Sequence, residues 1–144
     1  YPVDRPFIQF RAGLTHFPDH TPRPRQARSL RIWSGNAAAF GEYARPREIR
    51  VVFFKQQVVD HDREYRLADP PVFWKTLRFT LADRPGQQEF SLAELEPAPP
   101  SKGFPHEIQT VWVRLEALSA YPGTRFRDQL SLSEIEIVWA SDAD

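Results

Sequence analysis

Aromatic rings and planar polar groups are concentrated in two loop-like segments of this sequence, WSGNAAAFGEYARPREI at 33–49 and YPGTRFRD at 121–128. An aromatic ring can stack on the apolar C–H face of a sugar, while amide, guanidinium and carboxylate groups can hydrogen-bond its hydroxyls. We therefore predict carbohydrate as a ligand. The residues predicted to bind it are Trp33, Asn36, Phe40, Tyr43, Arg45, Tyr121, Arg125 and Asp128.

The same side chains have a structural alternative. Large aromatic residues are usually packed inside proteins, so Trp33, Phe40 and Tyr121 would close the ends of a folded domain. Arg45 and Asp128 would then form an ion pair that holds the two loops. The sequence leaves both interpretations open.

The titratable residues form no recognisable metal-binding motif. His16 and His20 have the i, i+4 spacing of a helical metal pair, but Pro18 lies between them and excludes that helix. His61 lies in the acidic run VVDHDREY, which lacks the glycine turn of a calcium loop. There is no cysteine to supply a thiolate ligand. We predict no metal site and no cofactor.

Motifs of catalysis are also absent from the sequence. Ser34-Gly35 is only a fragment of the G-x-S-x-G nucleophile pattern, and no glycine-rich phosphate loop occurs. Glu134 and Glu136 share one face of an alternating segment, but adjacent acids on a solvated strand are common. We therefore predict no catalytic residue and a protein that is not an enzyme.

Charge and hydropathy limit the partners. The 19 basic and 19 acidic residues give a formal net charge of +0, whereas a nucleic-acid-binding surface is usually accompanied by excess positive charge. No run approaches the roughly 20 apolar residues that cross a bilayer as a helix. We predict no nucleic-acid partner and no transmembrane segment.

The chain has 144 residues, which suits one domain over 1–144 that buries about two-thirds of its unfolded surface. It begins at Tyr1 and contains no methionine. We expect a domain excised from a larger protein, with an extracellular, periplasmic or cell-envelope location.

Period-two alternation of apolar and polar residues is the main structural pattern, and it predicts half-buried strands. In FWKTLRFTL at 73–81, for example, Phe73, Leu77 and Phe79 are expected to face the core and Trp74 to face outward. The 14 prolines leave little room for helices, apart from a short turn at 37–43. The predicted fold is all-β, a jelly-roll-like sandwich of two antiparallel sheets, with the two loop segments at one end. The predicted strands are 6–10, 28–33, 48–54, 73–81, 88–92, 110–118 and 133–139.

The order of several short motifs resembles the discoidin-like, galactose-binding-like β-sandwich modules, nearest to the bacterial glycan-binding branch associated with NADase-type domains. The motifs, in chain order, are Trp33 and Gly35, Arg45 and Pro46, Tyr121 to Gly123, Asp128, and Ser133 to Ile135. The resemblance covers about residues 28–139 and implies a galactose-binding-like fold with glycan-binding loops. The first strand or strands of such modules are not evident in this chain.

The predicted function is therefore non-catalytic recognition, with carbohydrate bound through loops at one end of an accessory domain of a larger secreted or envelope protein. The alternative is a protein-interaction or structural domain, which docks a partner chain or a neighbouring domain through a sheet face or the proline-rich loops. That alternative predicts a contiguous apolar patch, around Trp74 and Trp112.

Overall fold

The computed structural model describes residues 6–14, 25–35, 38–57, 71–95 and 109–140, and within these ranges the chain is all-β, with turns and bends but no helix. Its strands, in chain order, are β1 Phe7–Leu14, β2 Ala27–Ser34, β3 Tyr43–Pro46, β4 Glu48–Gln57, β5 Val72–Thr80, β6 Gln87–Ser91, β7 Gln109–Ala117, β8 Ala120–Tyr121, β9 Phe126–Leu130 and β10 Leu132–Trp139.

Two antiparallel sheets form the framework. The large sheet has the strand order β1-β7-β4-β5, and the middle sheet has the order β10-β2-β6. On one side β1 contacts β10, where Nε1 of Trp139 donates to the carbonyl of Ala12 over 3.2 Å. On the other side β5 contacts β6, where the ring centroids of Phe79 and Phe90 are 4.8 Å apart. The two sheets therefore face each other as in a β-sandwich.

The core lies between the two sheets because alternate side chains of both point inward. Leu30 and Ile32 of β2 are fully buried, as are Ile49, Val51 and Phe53 of β4. Each buried side chain of this size contributes about 1.5–3 kcal/mol relative to exposure. The remaining buried members of the cluster are Ala27, Leu77, Leu81, Leu92, Leu95, Val111, Val113 and Leu115.

All seven strands predicted from the alternation are confirmed, and correspond to β1, β2, β4, β5, β6, β7 and β10. The short helical turn expected at 37–43 is wrong over its described part. Residues 38–42 form turns and a bend, in which the amide of Glu42 donates to the carbonyl of Ala39 over 3.1 Å. Gly41 disfavours a helix, and strand pairing of β3 begins at Tyr43.

The predicted inward position of Phe73 is also wrong. Where β4 pairs with β5, the register shifts between Phe53 and Phe54, which lie opposite Lys75 and Phe73. The extra residue, Trp74, packs against the core and meets Phe53 edge-on, with 6.3 Å between ring centroids. Phe73 shares the outward face with Phe54 and is 59% exposed. The extra residue forms a β-bulge, which reverses the faces of the residues on its N-terminal side. The bulge lies at Trp74 because this side chain packs against the core.

A third, small sheet adds to the two predicted antiparallel sheets. Its order is β8-β3-β9. Strand β3 pairs antiparallel with β8, with Arg45 opposite Tyr121, but parallel with β9, with Tyr43 opposite Phe126. The small sheet joins segments that are about 80 residues apart in the sequence, and these are the two segments that carry the predicted ligand-binding residues.

Candidate functional site

Main-chain hydrogen bonds join the two predicted loop segments. The amides of Arg125 and Phe126 donate to the carbonyl of Glu42 over 3.1 and 2.8 Å. Gly123 is buried against this turn, and a Cβ atom there would lie 2.5 Å from the Glu42 carbonyl oxygen. A side chain at Gly123 would push the two segments apart. We call the resulting surface the rim; it consists of residues 38–45 and 121–126.

Arg45 is buried at the rim, and its guanidinium is hydrogen-bonded within the protein. Nε and Nη2 donate to the two carboxylate oxygens of Asp83 over 2.7 and 3.1 Å. Nη1 donates to the carbonyl of Tyr43 over 2.9 Å, and to those of Phe40 and Gly41 over 3.4 and 3.3 Å. Paired arginine–carboxylate contacts of this type are strong and directional. Arg45 therefore fixes the 38–43 turn against the segment that carries Asp83.

Two predicted aromatic residues, Phe40 and Tyr43, pack against residues in the rim or next to it. Phe40 lies against Gly35, where a Cβ atom would approach its ring to 2.6 Å, and the φ of Gly35 is +77°. The guanidinium of Arg45 lies 4.9 Å from the centroid of Phe40. Tyr43 stacks on Phe126 at 4.6 Å and 24°. Each of these rings is half-buried, so much of its apolar surface already serves to hold the rim together.

The other two predicted ligand-binding residues of the rim, Tyr121 and Arg125, differ in exposure. The hydroxyl of Tyr121 donates to the carbonyl of Leu81 over 2.8 Å, and the guanidinium of Arg47 lies 5.6 Å from its ring centroid. Arg125 is exposed, with its guanidinium 5.2 Å from the ring centroid of Phe126. Tyr121 thus ties the rim to the end of β5, while Arg125 is accessible for polar contacts.

The turn between β5 and β6 brings a third segment to this end of the molecule. Gln88 is buried and binds the backbone of Ala82 twice: Oε1 accepts from its amide over 2.7 Å and Nε2 donates to its carbonyl over 2.9 Å. These two bonds fix the turn that places Asp83 beside Arg45. They also fix the start of β6, where Gln87 lies opposite Trp33.

Trp33 lies on the outward face of the middle sheet. Its strand, β2, is the central one of three, and its neighbours Ile32 and Ser34 are buried on the inward side. Gln87 of β6 and Glu134 of β10 lie directly opposite it on the two flanking strands, and both are exposed. Side chains directly opposite each other in antiparallel strands have Cβ atoms about 4.5–5.5 Å apart. A half-buried indole thus lies between an amide and a carboxylate.

The next outward row of the same sheet is charged. Arg31 lies between Glu89 and Glu136; its Nε is 2.7 Å from Glu89 Oε1, and its Nη1 is 3.8 Å from Glu136 Oε1. The hydrogen bond from Arg31, with a second from Ser29 over 3.1 Å, lowers the pKa of Glu89. We call the two rows together the Trp33 face; its members are Arg31, Trp33, Gln87, Glu89, Glu134 and Glu136.

Two residues of the site, Asp83 and Gln87, were not predicted from the sequence. Asp83 was not paired with Arg45, because the structural alternative paired Arg45 with Asp128. Gln87 was not associated with Trp33. The DRPG turn at 83–86 is a signal for a bend, but the residue that lies opposite Trp33 depends on the register of β2 with β6.

Two predicted ligand-binding residues have no described side chain. Asn36 lies outside the described residues, and only the backbone of Asp128, in β9, is described.

An apolar groove of about 170 Å³ lies on another part of the surface. It is lined by apolar side chains of β1, β3, β7, β9 and β10 and by Pro6, and does not offer the polar groups that orient a sugar. Over the described residues, no group of three or more His, Cys, Asp or Glu side chains is arranged to hold a metal ion. His16, His20, His61 and His106 lie outside those residues.

The described ranges contain no helix with the length and hydropathy needed to cross a membrane. No family model, curated protein or solved structure matches the chain.

Proposed function

We propose that the protein is a non-catalytic recognition module that binds carbohydrate on the Trp33 face. The position of Trp33 carries this proposal: its indole is the central side chain of an outward row, with Gln87 and Glu134 on the two sides. An indole supplies an apolar surface for the C–H face of a sugar. The amide of Gln87 can donate and accept hydrogen bonds, and the carboxylate of Glu134 can accept from hydroxyls.

The neighbouring row supports binding because its charged groups hold each other in place. Arg31 is engaged by Glu89 and Glu136, and Glu89 also accepts from Ser29. Side chains that are already held lose less conformational entropy when a ligand arrives. The ion pairs also leave carboxylate oxygens with further lone pairs for hydroxyl donors.

In this proposal the rim holds the adjoining loops and adds polar contacts at its border. Phe40, Tyr43, Arg45 and Tyr121 keep the loops in position through the contacts described above. Arg125 supplies an exposed guanidinium, and Asn36 and Asp128 are proposed as further polar contacts. The ligand therefore lies mainly on the sheet face beside the rim, with Trp33 as its stacking partner.

The proposal includes a jelly-roll-like, galactose-binding-like architecture and a role as an accessory domain of a larger secreted or envelope protein. Two facing antiparallel sheets with a shared core support it. So does the meeting of the 38–45 and 121–126 segments, because glycan-binding loops of such modules lie together at one end of the sandwich.

A glycan microarray followed by calorimetric titration of the strongest hit tests this function. We expect Trp33→Ala to weaken binding of that glycan by about tenfold, the loss expected when one aromatic stacking contact is removed. Glu134→Ala should weaken it less, because it removes only hydrogen bonds to hydroxyls.

Trp112→Ala is the matched control, since Trp112 is also half-buried and lies on the outward face of the other sheet. It should leave glycan affinity unchanged. An array without hits, or a glycan that binds Trp33→Ala as tightly as the wild type, would contradict the proposal.

A further inference from the structure

The outward face of the large sheet carries an aromatic row that crosses three strands. Trp112 of β7 lies opposite Phe54 of β4, and Phe54 lies opposite Phe73 of β5. Arg11 of β1 lies opposite Trp112 and ends the row. Nε1 of Trp112 donates to Gln56 Oε1 over 2.9 Å, which fixes the indole. We call Arg11, Trp112, Phe54 and Phe73 the aromatic row.

The aromatic row is accessible and uneven. Phe73 is 59% exposed, and Val72 next to it is 66% exposed. The rings of Phe54 and Phe73 are 6.5 Å apart at an interplanar angle of 79°. Rings at this angle do not form the flat platform on which a sugar ring stacks, but leave gaps that partner side chains can fill. Contiguous exposed apolar surface of this type marks interaction sites more often than scattered single residues do.

A second row of the same face contains excess positive charge. Glu116 lies opposite Arg50, which in turn lies opposite Arg78. Glu116 is buried, and its carboxylate is engaged by Arg50 and by Arg114, whose Nε is 3.2 Å away. Arg78 is exposed and has no hydrogen bond or ion pair with any residue in the described part of the chain. Like charges directly opposite each other are destabilising, so an external anion beside Arg78 would be stabilised.

We propose that this face docks an acidic segment of a partner protein, with apolar side chains against the aromatic row and carboxylates on Arg11 and Arg78. Arg78 and Phe73 are five residues apart along β5, and their partners Arg50 and Phe54 are four apart along β4, because the bulge adds one residue to β5. Four or five residues correspond to about 13–17 Å at the rise of a strand. An extended partner segment spans that distance with about four or five residues. The partner therefore carries an acidic residue four or five positions from an aromatic or large aliphatic one.

Charge complementarity favours this partner over a single-stranded nucleic acid. A phosphate backbone needs a series of available cations along its path. Four arginines of the described residues lie on this face, and two of them, Arg50 and Arg114, already bind Glu116. In Arg11, Nε donates to Oγ1 of Thr110 over 2.7 Å, and only its two Nη groups have no partner among the described residues. Arg11 and Arg78 lie on opposite sides of the face, on β1 and β5, which suits two separate carboxylates. This docking role stands on a different surface from the Trp33 face and does not depend on carbohydrate binding.

Selection of random dodecapeptides by phage display on the wild-type chain tests the proposal. The enriched peptides should combine Asp or Glu with Phe, Trp or Leu at the spacing given above. One enriched peptide is then synthesised and titrated by fluorescence anisotropy. We expect Phe73→Ser and Arg78→Glu each to weaken its binding by about tenfold or more, the effect of losing a central contact.

Arg78→Glu separates binding from folding. It replaces a like-charge neighbour of Arg50 with an opposite one, so the stability of the variant should be retained or increased while peptide binding is lost. Ile8→Ser and Arg84→Glu are matched controls, because both residues are exposed and lie outside this face. Enrichment of basic peptides, or no enrichment, would overturn the proposal. The proposal would also be overturned if an oligothymidylate bound more tightly than the peptide and Arg78→Glu abolished that binding, because this result would assign the face to nucleic acid.

Discussion

The outward faces of the two sheets carry charge triads of opposite composition. On the large sheet an anion lies between two cations: Glu116 is engaged by Arg50 and Arg114. On the middle sheet a cation lies between two anions: Arg31 is engaged by Glu89 and Glu136. The side chain of Glu116 is 3% exposed, whereas that of Arg31 is 37% exposed. The two triads therefore differ in sign and in access to water.

The difference in access determines what each triad contributes. Water screens the exposed triad, so its contribution to the free energy of unfolding is small, and its carboxylates remain accessible to a polar ligand. Glu116 has lost its hydration, and its charge depends on the two arginines. The large sheet thus uses its central carboxylate for folding, while the middle sheet keeps its carboxylates accessible for binding.

The largest expected effect comes from Glu116→Gln. An amide cannot neutralise the two arginines, and we expect a loss of about 2–4 kcal/mol in the free energy of unfolding, measured by urea denaturation. A loss below about 1 kcal/mol would mean that the buried triad contributes no more to the free energy of unfolding than an exposed one. The proposed difference between the two faces would then be wrong.

Arg31→Gln is the matched change at the centre of the exposed triad. We expect it to lower the free energy of unfolding by less than about 1 kcal/mol, because solvent already screens both ion pairs. The same denaturation experiment measures it. A loss equal to that of Glu116→Gln would contradict the comparison and would indicate that Arg31 supports the fold rather than the binding face.

The smallest effect concerns the pH dependence of Glu89. Its folded-state pKa lies below the ordinary value of 4.5, chiefly because Arg31 donates to it. The resulting stabilisation is present above the unfolded-state pKa and is lost as pH falls through the lower, folded-state pKa. Urea midpoints measured from neutral pH down to acid should therefore fall slightly less for Glu89→Gln than for the wild type. Parallel curves for the two proteins would show that Arg31 does not stabilise the carboxylate form of Glu89.

Much of the fold could be predicted because strand alternation is a local pattern. Leu30 and Ile32 are inward, and Arg31 and Trp33 outward, as the alternation of RSLRIW requires. The predicted inward position of Phe73 was wrong, because a single bulge reversed which residues at the start of β5 face the core. The two-residue alternation of a single strand does not reveal a bulge, because a bulge depends on how that strand pairs and packs with its neighbour.

The candidate site could be predicted only in part. The sequence identified Trp33 and the rim segments from residue type alone. It could not identify Gln87 and Glu134 as neighbours of Trp33, because two strand registers determine both contacts. Asp83 was missed as the partner of Arg45 for the same reason: 38 residues separate them, and the Gln88 contacts with Ala82 fix the intervening turn.

The sequence by itself determined the strands, the scarcity of helix and the side of each strand that is apolar, because these follow from residue type and a spacing of two. Only the tertiary structure decided which outward residues form rows, where the bulge lies, and that β3 pairs with both β8 and β9. Those features depend on contacts between distant segments. Many strand registers satisfy the same local alternation, and packing of the whole core selects one of them.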